Sequence, residues 1–269
     1  MIKFPHAKIN FGLYVVAPRQ DGYHNIESIL WPVPWHDILE MVPAADNQFS
    51  FSQSGNSLDV DGSENLVVKA WKLMQKKYDL SPVHIHLHKN IPSGAGLGGG
   101  SSDAAYTILA LSELFELNLS KKRMQLIAGK LGSDCAFFID GKPHFVAGKG
   151  ELLAQTQADL GGFHIGIVKP GLHVSTAEAY KNINAAPSPK RWEFPADNPE
   201  EWKYKIRNQF EDYLLVEYPH LNTIKGKLYD YGAVYASVTG SGAAVYGLFR
   251  ESPNMKKWFL KETVWQGQL

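Results

Sequence analysis

A fold of mixed strands and helices, divided near residue 155, is what the sequence predicts, and three observations predict it. Val83-His84-Ile85-His86-Leu87-His88 alternates apolar and polar residues strictly, which is the period of a half-buried strand. A glycine-rich stretch from Pro92 to Asp103, PSGAGLGGGSSD, separates that strand from apolar residues at helical spacing, Ala104, Ile108, Leu111 and Phe115. Beyond Gly148-Lys149-Gly150 the chain changes character and opens a second set of strands and helices.

The composition fits a globular chain. With 269 residues and 30.0 kDa there is room for one large domain or two of ordinary size. Hydrophobic residues at 44% and charged residues at 20% suffice for a core and exclude a disordered chain. The 27 basic residues balance the 27 acidic ones, so neither a nucleic-acid nor a membrane partner is expected. Cys135 is the only cysteine, which excludes an intramolecular disulfide. The stretch MIKFPHAKINFGLY carries no apolar core followed by a cleavage site, and no apolar run is long enough for a bilayer. A cytoplasmic protein, monomeric or weakly dimeric, is the expectation.

Taken in order, Ala7 to Val16 reads as a strand bearing Lys8 and Asn10. Arg19-Gln20-Asp21-Gly22 is a turn, since Asp-Gly tolerates positive φ. Ile26 to Val42 carries strand signals broken by Pro32 and Pro34, with Pro43 just beyond. Phe49–Phe51 and Leu58–Val60 read as short strands, and Asn65–Tyr78 as a helix. The three histidines of the next strand bring no metal, because i, i+2, i+4 side chains on one strand do not converge without further ligands.

After the glycines, Ser102–Leu117 reads as a helix with Ser and Asp in capping positions, and Ser120–Leu131 as a second helix stopped by Gly132. Phe163–Val168 reads as a strand and Ser175–Asn182 as a helix. Ala185–Glu200 reads as a Pro-rich excursion, and Ile206–Tyr218 and Pro219–Tyr231 as helices. Strands at Val234–Val238 and Ala243–Leu248 bracket Thr239-Gly240-Ser241-Gly242.

Five of the seven residues from Gly94 to Gly100 are glycine, which asks for a ligand or another chain segment close to the backbone. Gly94-Ala95-Gly96-Leu97-Gly98-Gly99 matches the dinucleotide pattern G-x-G-x-x-G. That pattern needs a second parallel strand ending in an acidic residue, yet LSKKRMQLIAGKL after the helix reads as another helix. The Walker pattern fails too, for want of Gly-Lys-Ser/Thr. What remains is an anion site made of backbone N–H groups and a helix N-terminus, with Ser101 and Ser102 adding hydroxyls at its rim.

PSGAGLGGGSSDAA resembles the second motif of the GHMP kinases, named for galactokinase, homoserine, mevalonate and phosphomevalonate kinases. The Lys8 strand and VTGSGAAVYGLF from Val238 to Phe249 fit the same superfamily. AKINFGLYVVAPRQDGYHNIESIL, LGSDCAFFIDG and NQFEDYLLVEYP are similar to one branch of it, which phosphorylates a cytidine-diphosphate sugar alcohol. The resemblance implies a two-domain α+β fold. Its ribosomal-protein-S5-like half, residues 1–155, would bind ATP and carry catalysis; its ferredoxin-like half, 156–269, would bind substrate.

It implies that Pro92, Ser93, Gly94, Ala95, Gly96, Leu97, Gly98, Gly99, Gly100, Ser101 and Ser102 cradle ATP, which arrives with Mg2+ and has no assigned protein ligand for the metal. It makes Asp134 the base for the substrate hydroxyl and Lys8 its partner, a cation that keeps Asp134 ionised and meets the phosphoryl charge. Asn10, Tyr23 and His24 fall on cytidine-recognition positions, with Tyr23 offering a stacking ring and His24 directional hydrogen bonds. Tyr180 would close a sandwich on the base, and Thr176, Gly240 and Ser241 fall on further substrate positions.

Taken singly, each residue has an ordinary alternative: a solvated lysine, a turn aspartate, a core tyrosine, a capping threonine, a hairpin turn. The chain departs from the family after Asp134, where Cys135-Ala136 replaces a β-branched residue and often proline. Other readings are a homoserine- or mevalonate-type kinase and an inactive nucleotide-binding homologue.

Overall fold

The computed structural model describes residues 1–56, 64–183 and 198–269. The strand expected at Leu58–Val60 and most of the Ala185–Glu200 excursion lie outside the described residues. In chain order the strands are β1 (Ile2–Lys3), β2 (His6–Pro18), β3 (His24–His36), β4 (Ile38–Pro43), β5 (Ser50–Gly55) and β6 (Val83–Lys89). They continue with β7 (His144–Ala147), β8 (Leu152–Gln155), β9 (His164–Lys169), β10 (Tyr235–Val238), β11 (Val245–Phe249) and β12 (Thr263–Gln268). Contacts divide the chain into two compact units, neither a single run of sequence. One gathers Met1–Ala7, Trp35–Ser93 and Gly98–Lys142; the other gathers Lys8–Pro34, Gly94–Leu97 and Pro143–Leu269.

The first unit holds a sheet of order β1-β4-β6-β5. On β6 the alternation does what its period dictates. Val83, Ile85 and Leu87 are buried, while His84, His86 and His88 stand in register with Ser50, Ser52 and Ser54 of parallel β5. Each histidine Nδ1 shares a hydrogen bond with the serine opposite, at 2.6, 2.8 and 2.9 Å. The helix Leu66–Tyr78 is capped by Asn65, which accepts from the Val67 N–H.

The helix after the glycines differs from expectation. It runs from Gly99 to Leu114, three residues earlier than the capping residues suggested, and its N-cap is Gly98 in the left-handed region. Ser102 and Asp103 therefore lie inside the helix and are buried, so Ser102 is not at the rim of the loop. Glycine's poor helix propensity argued for the later start. Close packing overrides it: a Cβ on Gly99 would lie 3.1 Å from Ile91 Cγ2 and 3.2 Å from Lys89 Nζ.

The second unit holds two sheets, β2-β3-β7-β8 and β10-β11-β9-β12. β3 runs unbroken through Pro32 and Pro34, because its pairing with β7 ends at Leu30↔His144 and asks nothing of the prolines. The hairpin β7–β8 and the last strand β12 were not anticipated. The helix expected from Ile206 begins only at Glu211. Asn208 instead bridges Leu13 of β2, with Leu13 N donating to Arg207 O at 3.0 Å and Gln209 N to Leu13 O at 2.8 Å. Phe210, Leu214, Leu221, Ile224 and Leu228 then pack with Val168, Val238 and Val245 into this unit's core.

Candidate active site

Alternation also builds the glycine loop. Gly94, Gly96 and Gly98 have φ of +62°, +76° and +72°, conformations an L side chain resists. Between them Ala95 and Leu97 are buried and anchor the loop. Two of these glycines face a close neighbour: a Cβ on Gly96 would lie 2.0 Å from Thr239 O, and one on Gly94 would lie 3.1 Å from His173 Nδ1. The loop leads straight into a helix whose N-cap supplies no side-chain hydrogen bond. The N–H groups of its first turn are thus suited to an anion.

Lys8 lies beside this loop on β2. Its backbone N–H donates to Leu97 O at 2.9 Å, and its ammonium, buried with the rest of the residue, donates to Asn10 Oδ1 at 2.6 Å. Asn10 is buried and heavily committed. Its Nδ2 donates to Ser28 Oγ at 2.8 Å, its backbone N–H to Thr239 Oγ1 at 3.1 Å, and its carbonyl accepts from the Tyr246 hydroxyl at 2.8 Å. In this structure Asn10 orients Lys8. Thr239 Oγ1 donates in turn to Gly96 O at 3.2 Å, so one hydroxyl links β2, the glycine loop and the Thr239–Gly242 turn.

That turn is shaped by residues sequence reasoning missed. Asn208 Nδ2 donates to Val238 O at 2.9 Å and to Gly240 O at 2.7 Å. Glu211 Oε1 accepts from Ser237 Oγ at 3.1 Å and from the Val238 N–H at 2.8 Å. Both lie in NQFEDYLLVEYP, a block noticed only as a family likeness. Ser241 Oγ shares a 2.9 Å hydrogen bond with Thr176 Oγ1, which brings two of the expected substrate residues together.

The aromatic residues are arranged differently from a simple sandwich. His24 and Tyr180 stack on each other, centroids 4.9 Å apart and planes 22° from parallel, and Tyr180 meets Phe210 edge-on. Tyr23 is 52% exposed, with Lys149 Nζ 4.6 Å from its ring centroid. Its ring is thus largely at the surface with a lysine over it, whereas His24 and Tyr180 stack on each other.

Asp134 is half-buried in the first unit, immediately before the helix Cys135–Asp140. Cys135 to Ile139 are all buried, so this short helix is fixed by packing and holds Asp134 at its start. It packs on the helix Gly99–Leu114. Gly132 permits the approach, since a Cβ there would lie 3.2 Å from Cys135 Sγ and 3.6 Å from Ser101 Oγ. Burial pushes the Cys135 thiol up to about 12, so it is a neutral packing group.

The chain is similar to known proteins. The model of the GHMP kinases N terminal domain matches residues 65–142, and that of the GHMP kinases C terminal region matches 192–257. A 4-diphosphocytidyl-2-C-methyl-D-erythritol kinase of Azobacteroides pseudotrichonymphae is 46% identical over 256 residues, covering 93% of this chain and 94% of its own. The protein of the same name from Bacteroides thetaiotaomicron is 46% identical over 268 residues, covering 98% and 96%. A crystal structure of 4-(cytidine 5'-diphospho)-2C-methyl-D-erythritol kinase superposes with a TM-score of 0.83 at 28% identity, covering 99% of this chain and 98% of that one. The Methanococcus jannaschii mevalonate kinase, at 15% identity and a TM-score of 0.75 over 100% of this chain and 98% of its own, shares the fold.

Proposed function

The chain belongs to the 4-diphosphocytidyl-2-C-methyl-D-erythritol kinase family of the GHMP kinases, and from that membership we infer its reaction. It is an ATP-dependent small-molecule kinase that phosphorylates 4-diphosphocytidyl-2-C-methyl-D-erythritol in the non-mevalonate isoprenoid pathway. The carrying observation is 46% identity over nearly the whole of two relatives bearing that name. The homoserine- and mevalonate-type readings rest on fold likeness alone, at 15% identity.

The acceptor we propose is the 2-hydroxyl. Its oxygen attacks the γ-phosphorus, the bond from γ-phosphorus to the bridging oxygen breaks, ADP leaves, and the hydroxyl proton passes to the Asp134 carboxylate. Lys8, oriented by Asn10, meets the charge of the transferring group. The loop from Pro92 to Ser101 cradles the triphosphate with backbone N–H groups. On this reading residues 1–155 supply ATP binding and catalysis, and 156–269 most of the substrate contacts.

The loop's donors are N–H and hydroxyl groups, which suit phosphate oxygens and not a cation cage. Among the described residues no group of three His, Cys, Asp or Glu is placed to hold a metal. Mg2+ is proposed to arrive on ATP. The single, buried cysteine fits the reducing cytoplasm, and a monomer or weak homodimer is the proposed assembly.

Coupled ADP release with the cytidine substrate, homoserine and mevalonate tests the reading. Turnover is expected with the first alone; turnover only with either of the others sinks it, and ATP binding without turnover on any alcohol favours an inactive homologue. Tyr23 and its exposed ring lead to a narrower expectation. Tyr23→Ala should raise KM for the cytidine substrate by roughly three- to tenfold, the worth of one aromatic stack, with KM for ATP unchanged. Equal losses for both substrates would remove Tyr23 from base recognition.

A further inference from the structure

In the first unit, on the strand and the helix that flank the glycine loop in sequence, lies a buried cluster that the mechanism does not use. Lys89, the last residue of β6, donates to Asp37 Oδ2 in a short ion pair and to Asp103 Oδ2 at 2.7 Å. The side chains of Lys89, Asp37 and Asp103 are 1%, 0% and 3% exposed. The cluster grips the chain on both sides of the loop. Asp37 Oδ1 accepts from the backbone N–H groups of Asn90 and Ile91, at 2.6 and 2.8 Å, just before the loop begins. Asp103 sits in the second turn of the helix that begins where the loop ends, and Gly99 is kept bare by Lys89 Nζ.

Two carboxylates around one ammonium leave an uncompensated negative charge among side chains that are almost fully buried, a costly state. One proton removes it, and the hydrogen bonds say where the proton goes. Asp37 accepts on both oxygens, from the Lys89 ammonium and from two backbone N–H groups. Asp103 has Lys89 on one oxygen, and its other oxygen, Oδ1, is buried without a partner. We propose that Asp103 is a protonated positioning residue of the phosphate loop. With its proton the cluster is neutral and holds the segments on either side of the loop; without it a buried negative charge lies in the second turn of the helix whose N-terminus would receive the phosphate, and weakens ATP binding. The proposal rests on the reading of this loop as the ATP cradle.

The titration environment agrees with the geometry. Burial first, and then the Asp37 charge, push Asp103 up to about 8 against the opposing pull of Lys89. Burial works against the Lys89 ammonium, yet the two carboxylates hold its pKa above the ordinary lysine value. Lys89 from β6 and Asp37 from the residue before β4 are the charged groups acting on Asp103. The packed helix Cys135–Asp140 contributes the neutral Cys135 thiol, and the helix Leu66–Tyr78 buries only Val67, Val68, Ala70 and Met74.

The test compares KM for ATP and kcat from about pH 7 to about pH 9.5, a range that brackets the Asp103 transition. In the unaltered protein KM for ATP is expected to rise by about three- to tenfold as Asp103 loses its proton, with a smaller change in kcat. Asp103→Asn mimics the protonated acid and should keep the low KM across the whole range. Asp37→Asn leaves one carboxylate for one ammonium and should also flatten the profile, so the idea stays testable if one variant does not fold. A pH-independent KM in the unaltered enzyme overturns the proposal. So does an unchanged rise in either variant, or a KM raised by Asp103→Asn at pH 7. Absence of any ATP turnover would instead count against the kinase reading itself.

Discussion

Asp134→Asn is expected to lower kcat by about 10²- to 10⁴-fold, the usual worth of a positioned general base, while ATP affinity stays within about twofold. The amide is nearly isosteric with the acid, so it keeps the shape of the turn into the buried helix Cys135–Asp140. What it loses is the capacity to take a proton from an alcohol. The helix behind it is anchored by Phe137 and Phe138 and needs nothing from the Asp134 side chain by way of a cap, since that side chain makes no capping hydrogen bond. Folding should therefore be preserved, which thermal melting checks. Initial rates and calorimetric ATP binding on the same preparation separate the two roles. Turnover within tenfold of normal would remove Asp134 from the base role, and a matching loss of ATP binding would make it a structural residue.

Much of the frame was legible because it is local. The β6 alternation, the Asn65-capped helix and the Arg19–Gly22 turn each follow from residues within a few positions of one another. A tight glycine loop at a strand–helix junction was legible too, since five glycines in seven residues ask for a close approach to the backbone. Its helix start was misjudged for a definite reason. Propensity counts each glycine against the helix, while the space between Gly99, Ile91 and Lys89 that forbids anything larger exists only in the folded chain.

The same holds for what positions the site. Asn208 looks like one more polar residue before a helix, and its two bonds to the Thr239–Gly242 turn join segments distant in sequence. The family resemblance places Asn10 at a cytidine-recognition position; the bonds of its amide to Lys8 and Ser28 were not foreseen. Asp37 carried no local signal at all. Partners of this kind are long-range, and no periodicity announces them.

Gly96→Ala should be among the most damaging single-methyl additions in the protein, because two costs coincide at one position. Its φ of +76° is a left-handed conformation that costs an L residue about 1–2 kcal/mol. In addition the new Cβ would lie 2.0 Å from Thr239 O and 2.9 Å from Thr239 C, backbone atoms that cannot rotate aside, and overpacking of this kind costs about 1–3 kcal/mol more. Relief requires the Thr239 turn to retreat from the loop. That would break the Thr239 hydroxyl's bonds to Gly96 O and to the Asn10 N–H, and with them the support under Lys8. The expected result is a Tm lowered by about 5–15 °C together with a KM for ATP raised at least severalfold. Gly232→Ala is the matched control. Its φ is +92°, yet nothing lies within 4 Å of its added Cβ, so it carries the conformational cost without the collision. If the two variants lose the same stability and both keep a normal KM for ATP, the contact between the glycine loop and the Thr239 turn has no part in holding the nucleotide.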